Sequence, residues 1–133
     1  MSGIVGSAGS KSGVIGTTEL DYEEGTWTGA SNGSLSSASN WTGHYTKIGR
    51  IVRVQFYHAG TVSAASAGGH ITGLPFASAS SDSGGPGFGG MLDGSPTNSN
   101  TGGVYAASSA IFFSSTVTSD THWIGSIIYE TEL

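Results

Sequence analysis

The sequence has no cysteine, so neither a disulfide framework nor a cysteine-based metal site is available to it. Charge is also scarce. Four Lys or Arg and nine Asp or Glu give a net charge of −5 over 133 residues. That balance argues against non-specific binding to DNA or RNA, which needs a basic face. Lys47, Arg50 and Arg53 lie within seven residues of one another, but the patch is too small to carry a nucleic-acid claim. No apolar run approaches the roughly 18 residues of a membrane-spanning helix. The first residues, Met1 to Ser7, lack the basic and apolar regions of a signal peptide. Helical patterning is missing too. No twelve-residue window places apolar side chains at three-and-four spacing, and glycine interrupts most windows at about 1 kcal/mol each relative to alanine.

What is abundant is small. Gly, Ser and Thr number 23, 23 and 14. Three Trp, five Tyr and five Phe stand in short runs between these small residues. Short strands joined by many turns fit that arrangement, so the expected fold is all-β. The clearest strand is Ile51–His58. Val52, Val54 and Phe56 fall on one face, and Arg53, Gln55 and Tyr57 on the other. The first face reads as core. The second reads as solvent surface or as a subunit contact, since Arg and Tyr are enriched at interfaces.

Further strands are expected at Thr26–Ala30, Trp41–Lys47, Thr61–Ala64, His70–Thr72, Gly87–Leu92, Val104–Ser108, Ala110–Ser115 and His122–Glu130. Pro75, Pro86 and Pro96 fall in the intervening turns. Nine short strands suggest an antiparallel β-sandwich, jelly-roll-like. The last strand is apolar on both faces, with Trp123, Ile127 and Tyr129 alternating with Ile124 and Ile128. Such a strand is central in the core or buried between subunits. Trp123 and Tyr129 are therefore taken as candidate interface residues beside Arg53, Gln55 and Tyr57. A core built largely of Ala, Ser and Gly buries modest apolar area, and oligomerisation is a common remedy.

Residues 1–24 stand apart from the body, residues 25–133. Two apolar pairs, Ile4-Val5 and Val14-Ile15, sit ten residues apart in a Gly/Ser background, with an acidic cluster from Glu19 to Glu24 after them. The segment has too little apolar area to fold alone. It reads as an extended N-terminal arm whose apolar pairs dock on a neighbour, and the acidic cluster as solvated charge or an inter-subunit contact.

Catalytic constellations are poorly represented. His44, His58, His70 and His122 show no metal-ligand spacing; only a hairpin would bring His44 and His58 together. Gly6 to Ser12 faintly resembles a phosphate loop. Counting back from Lys11, however, the required glycines fall on Ser10 and Val5. Gly29-Ala-Ser-Asn-Gly33 has the Gly-x-Ser-x-Gly spacing, but no helical pattern follows it to make a nucleophile elbow, and paired carboxylates cluster only beside the arm. The Asp93–Asn100 loop offers oxygens without the spacing of a calcium site. No metal and no cofactor are expected.

Asp21-Tyr-Glu-Glu-Gly-Thr-Trp27, Gly43-His-Tyr-Thr-Lys-Ile-Gly-Arg50 and Ile71-Thr-Gly-Leu-Pro-Phe76 resemble a module of tailed-bacteriophage virion proteins, especially those of marine and cyanobacterial phages. There the module forms the C-terminal part of tail fibres. Lys11–Thr18 resembles the linker that often precedes it. The resemblance covers roughly residues 11 to 76, and its motifs are specific as a set and weak singly. It implies a homotrimeric β-sandwich on a virion, without catalysis; charge and run length already led to no expectation of a nucleic-acid or membrane partner. Tail-fibre modules end a much longer chain. Here the short arm is expected to hold the protein directly on another virion protein, on the tail or on the outer capsid surface. The alternative to a tail-fibre-like module is thus a capsid decoration protein. Loop residues Phe88, Asp93, Asn98, Asn100 and Tyr105 are the candidates for contact with a host-surface glycan.

Overall fold

The computed structural model describes residues 21–37, 40–64, 68–79, 87–93, 101–114 and 122–132. The arm residues Ile4, Val5, Val14 and Ile15, and the loop residues Asn98 and Asn100, lie outside the described residues. Ten strands follow in chain order: β1 Tyr22–Asn32, β2 Leu35–Ser37, β3 Trp41–Ile48, β4 Ile51–Ala59, β5 Val62–Ala64, β6 His70–Thr72, β7 Phe88–Asp93, β8 Thr101–Ala107, β9 Ala110–Phe113 and β10 His122–Glu130. The described residues are all-β and antiparallel.

Eight strands close into one barrel in the order β1-β3-β4-β10-β7-β8-β9-β6, and β2 pairs with β5 as a small separate sheet. The expectation of two facing sheets therefore meets a single, continuously hydrogen-bonded one. Closure depends on β1, whose two ends serve different neighbours. Tyr22–Gly29 pair with β3, and Ala30–Asn32 pair with β6. On the opposite side, β10 lies between β4 and β7. The closed barrel itself leaves no strand edge for another chain to extend, so association through the barrel uses its faces or ends; edges remain only on the small β2–β5 sheet among the described residues.

The barrel start also moves the boundary of the arm. Glu23 and Glu24 pair in register with Lys47 and Thr46, so residues 22–24 belong to the body. The acidic cluster serves its own chain there. Asp21 holds the Lys47 ammonium, Glu23 accepts from the Tyr45 hydroxyl at 2.8 Å and Glu24 from that of Tyr22 at 2.5 Å. The bond to Glu23 raises the Tyr45 phenol pKa above its ordinary value, and that to Glu24 does the same for Tyr22.

An eight-stranded barrel is just wide enough for its side chains to fill it. Here Trp27, Trp41, Phe56, Phe113, Trp123 and Tyr129 do so, with Val and Ile between them. Trp123 and Tyr129, 0% and 2% exposed, point into this core. They are corrected from interface to core residues; on β10 it is Ile124 and Ile128 that face outward. His58 is buried against Trp41, whereas His44 is exposed, so the β3–β4 hairpin keeps them on opposite sides of the sheet.

Large rings demand small neighbours. An added Cβ at Gly125 would stand 2.4 Å from the Phe56 ring, and one at Gly29 would stand 2.5 Å from the Trp27 indole. Gly25, Gly29, Gly43 and Gly125 thus mark inward strand positions beside aromatics, where composition alone suggested turns. Two-residue turns join β3 to β4 and β8 to β9. Gly49 supplies the positive φ in the first. Ser108 adopts φ 54° in the second, at a cost of about 1 kcal/mol for an L-residue with a side chain.

Tyr129 ties the core to the Pro75–Phe76 segment, its hydroxyl donating to the Phe76 carbonyl at 2.8 Å. Burial pushes its phenol pKa far above the ordinary range. The folded state therefore keeps a neutral phenol, while the unfolded chain ionises near pH ~10. This contribution is complete below about pH 10 and is lost as pH rises beyond it toward the folded-state pKa. Tyr129→Phe is expected to cost about 1 kcal/mol at neutral pH, by orphaning that carbonyl. Above about pH 10 the wild type should lose stability faster than the variant, so the gap narrows. Urea midpoints of both proteins across that range check this; a constant gap would contradict it.

Candidate functional surface

With the interior filled, the barrel's outside is where a partner can be met. Outward side chains on neighbouring strands fall into rows across the sheet, because directly paired residues point the same way. One row begins at Arg53 on β4 and passes to Ile128 on β10, Phe88 on β7, Tyr105 on β8, Phe112 on β9 and His70 on β6. Phe88 is 81% exposed and Ile128 54%. The Tyr105 and Phe112 rings stack at 5.5 Å, and Phe112 and His70 at 4.6 Å, so the last three rings form a ladder.

A parallel row holds Tyr57, Ile124 and Leu92, all exposed. Between the two rows run Gln55, Ser126, Gly90 and Gly103 in register. These are short or absent side chains; at Gly90 an added Cβ would meet nothing within 4 Å. Gln55, Ser126, Gly90 and Gly103 line an open groove of about 740 Å³ with Leu92, Ile124 and Met91 as its large apolar side chains, beside the Phe88 row rather than bounded by it. Among the described residues no ionisable side chain lines it, and the groove is suited to shape and apolar contact.

Charge around this face is unevenly partnered. Among the described residues the ion pairs are Lys47 with Asp21 and Arg50 with Glu130. Arg53 is exposed and takes part in neither. Groups of three or more His, Asp or Glu able to hold a metal ion are absent among the described residues.

Two sequence expectations converge on this face. Arg53, Gln55 and Tyr57, taken as interface candidates, do point outward from β4. Phe88 and Tyr105, taken as candidate glycan contacts, lie on strands β7 and β8, as the strand expectations Gly87–Leu92 and Val104–Ser108 had it, rather than in loops, and Asp93 ends β7. Phe88 and Tyr105 occupy the same row as Arg53, so the supposed interface and the supposed ligand loop are one continuous surface. The stacked ladder also bears on the glycan assignment. Phe112 already has a ring on either side, and one face of Tyr105 is taken, so only Phe88 offers two open faces. Sequence reasoning missed Ile124, Ile128, Leu92 and Phe112 as surface residues. Their signal was the apolar residue at outward positions of each strand, visible only once the inward face was known.

Compared with known proteins, the chain matches no family model, and no curated protein and no solved structure resembles it significantly.

Proposed function

We propose that the protein is a non-enzymatic structural protein of a tailed-bacteriophage virion. It acts as a trimer of barrels, held on the particle by its N-terminal arm, with loops turned to a host-surface glycan in the manner of a tail-fibre module. The observation that carries this reading is the exposed apolar face across β4, β10, β7 and β8. Exposed contiguous apolar surface rimmed by polar residues marks interaction sites. A groove that the described residues line without ionisable groups supports assembly over catalysis. The motifs shared with virion modules, at Asp21–Trp27, Gly43–Arg50 and Ile71–Phe76, supply the phage context.

The reading is tested on particles. Deleting residues 1–18 should leave a folded barrel that no longer enters the virion, measured by immunoblot of purified particles beside circular dichroism of the free protein. Undiminished incorporation would remove the anchoring role. Labelled antibody seen on the tail by electron microscopy would support the tail-fibre-like form, and label on the head a capsid decoration protein.

A further inference from the structure

We infer that the Asn32-Gly33 pair is a site of spontaneous backbone isomerisation, placed at the end of the strand that closes the barrel. The inference is independent of the phage and trimer readings above.

Asn32-Gly33 is the single Asn-Gly pair in the sequence. Asparagine before glycine is prone to cyclise, because no Cβ on the second residue shields its backbone nitrogen or restricts its φ. A fold suppresses the reaction where it holds that nitrogen away from the carboxamide. Here it does the reverse. Gly33 and Ser34 alone connect β1 to β2, and the Gly33 N–H donates to Asn32 Oδ1 at 2.7 Å. The reacting nitrogen therefore already lies beside the carboxamide it would attack. Asn32 is exposed to water, and the described residues give its side chain no other hydrogen bond. Glycine is also what the turn demands at this place. Its φ is 64°, and an added Cβ would stand 2.8 Å from the Gly68 carbonyl oxygen and 3.1 Å from His70 Nδ1. A larger residue that would protect the bond would strain the turn.

In the first step the Gly33 nitrogen attacks Asn32 Cγ. A C–N bond forms and closes a succinimide ring. The Cγ–Nδ2 bond breaks, and Nδ2 leaves as ammonia with the proton that the Gly33 nitrogen gives up. Water then opens the ring at either carbonyl. Opening at one returns an ordinary aspartate. Opening at the other passes the main chain through the former side chain, as isoaspartate, with an extra methylene in the backbone. Water is the sole co-reactant. The position gives that methylene its effect. The β1–β6 ladder that closes the barrel consists of Ala30 with Thr72, Ser31 with Ile71 and Asn32 with His70. A longer backbone at Asn32 takes the last pair out of register and moves Gly33 from its place beside the His70 ring. Both products set a carboxylate where a neutral amide stood, but only isoaspartate disturbs the ladder.

The test compares the folded chain with the same chain unfolded in urea, both held in mildly alkaline buffer and then digested for peptide mass spectrometry. The folded chain should gain the mass difference between an amide and an acid at Asn32, with isoaspartate told from aspartate by electron-transfer fragmentation. Asn32→Gln, whose longer side chain would have to close a larger ring, should lose the change. Converted protein should unfold at a lower urea midpoint than fresh protein. Fresh Asn32→Asp, which carries the charge without the methylene, should keep the wild-type midpoint, as exposed substitutions usually do. An Asn32 that stays intact in the folded chain while the unfolded chain converts would overturn the site. Conversion to isoaspartate that leaves the midpoint unmoved would overturn its effect on barrel closure.

Discussion

Replacing Gly43 by alanine is expected to abolish the folded barrel, although it adds a single methyl group. Gly43 is an inward position of β3, opposite Trp27 on β1 and Phe56 on β4. A Cβ there would stand 1.8 Å from the Gln55 carbonyl oxygen and 2.8 Å from the Trp27 indole nitrogen. Both neighbours are fixed: the indole N–H donates to that same carbonyl at 3.1 Å. Relief would require β3 to part from β4 or the indole to leave the core. Either course costs more than the roughly 1–3 kcal/mol of ordinary overpacking. Small domains have only about 5–15 kcal/mol in total. The expected result is loss of the cooperative urea transition or a fall in stability of more than about 4 kcal/mol. A loss under about 1 kcal/mol would show that the strands are not packed this closely.

Trp41→Ala is the second large effect, and it acts by the opposite route. Trp41 is fully buried. Its ring centre lies 5.8 Å from that of Phe56, 4.9 Å from His58 and 6.3 Å from Phe113. Its indole N–H donates to the Ser31 hydroxyl at 2.9 Å. Truncation removes that bond and leaves a cavity bounded by hydrogen-bonded strands with little freedom to collapse. Loss of about 3–5 kcal/mol is expected, read from the urea midpoint at unchanged slope. Tyr57→Ala is the natural comparison. It is an aromatic on the outer face of β4, 44% exposed, and should change monomer stability by no more than about 0.5 kcal/mol. Similar losses for the two variants would contradict the assignment of inside and outside.

How far these residues could be read in advance depended on what surrounded them. In β4 the alternation is unbroken, so Val52, Val54 and Phe56 inside and Arg53, Gln55 and Tyr57 outside were legible from order alone. In β10 both alternating sets are apolar. The sequence therefore held no sign that Trp123, Ile127 and Tyr129 turn inward and Ile124 and Ile128 outward; volume decides it, since the barrel must be filled. Phe88 and Tyr105 were hidden for another reason. Their stretches were expected as strands, Gly87–Leu92 and Val104–Ser108, but glycine at positions 87, 89, 90, 102 and 103 removes the side chains that would have displayed a period of two, so the face each ring takes was not legible. Leu35–Ser37 is too short to announce itself as a strand. Barrel closure was the least legible feature. It depends on the pairing of β1 with β6 and of β7 with β10, contacts between distant segments that no local pattern encodes. The candidate surface inherits that limit. Its longer row is assembled from six strands, and only Arg53, Gln55 and Tyr57 could be seen to share a face beforehand.

The surface is also where the functional reading is most exposed to measurement. Native mass spectrometry of the purified full chain, over a dilution series, asks directly whether that face is covered. The expected result is a single species of three times the 13.4 kDa chain mass, giving way to monomer on dilution. A wild-type chain that remains at 13.4 kDa at every concentration would contradict it.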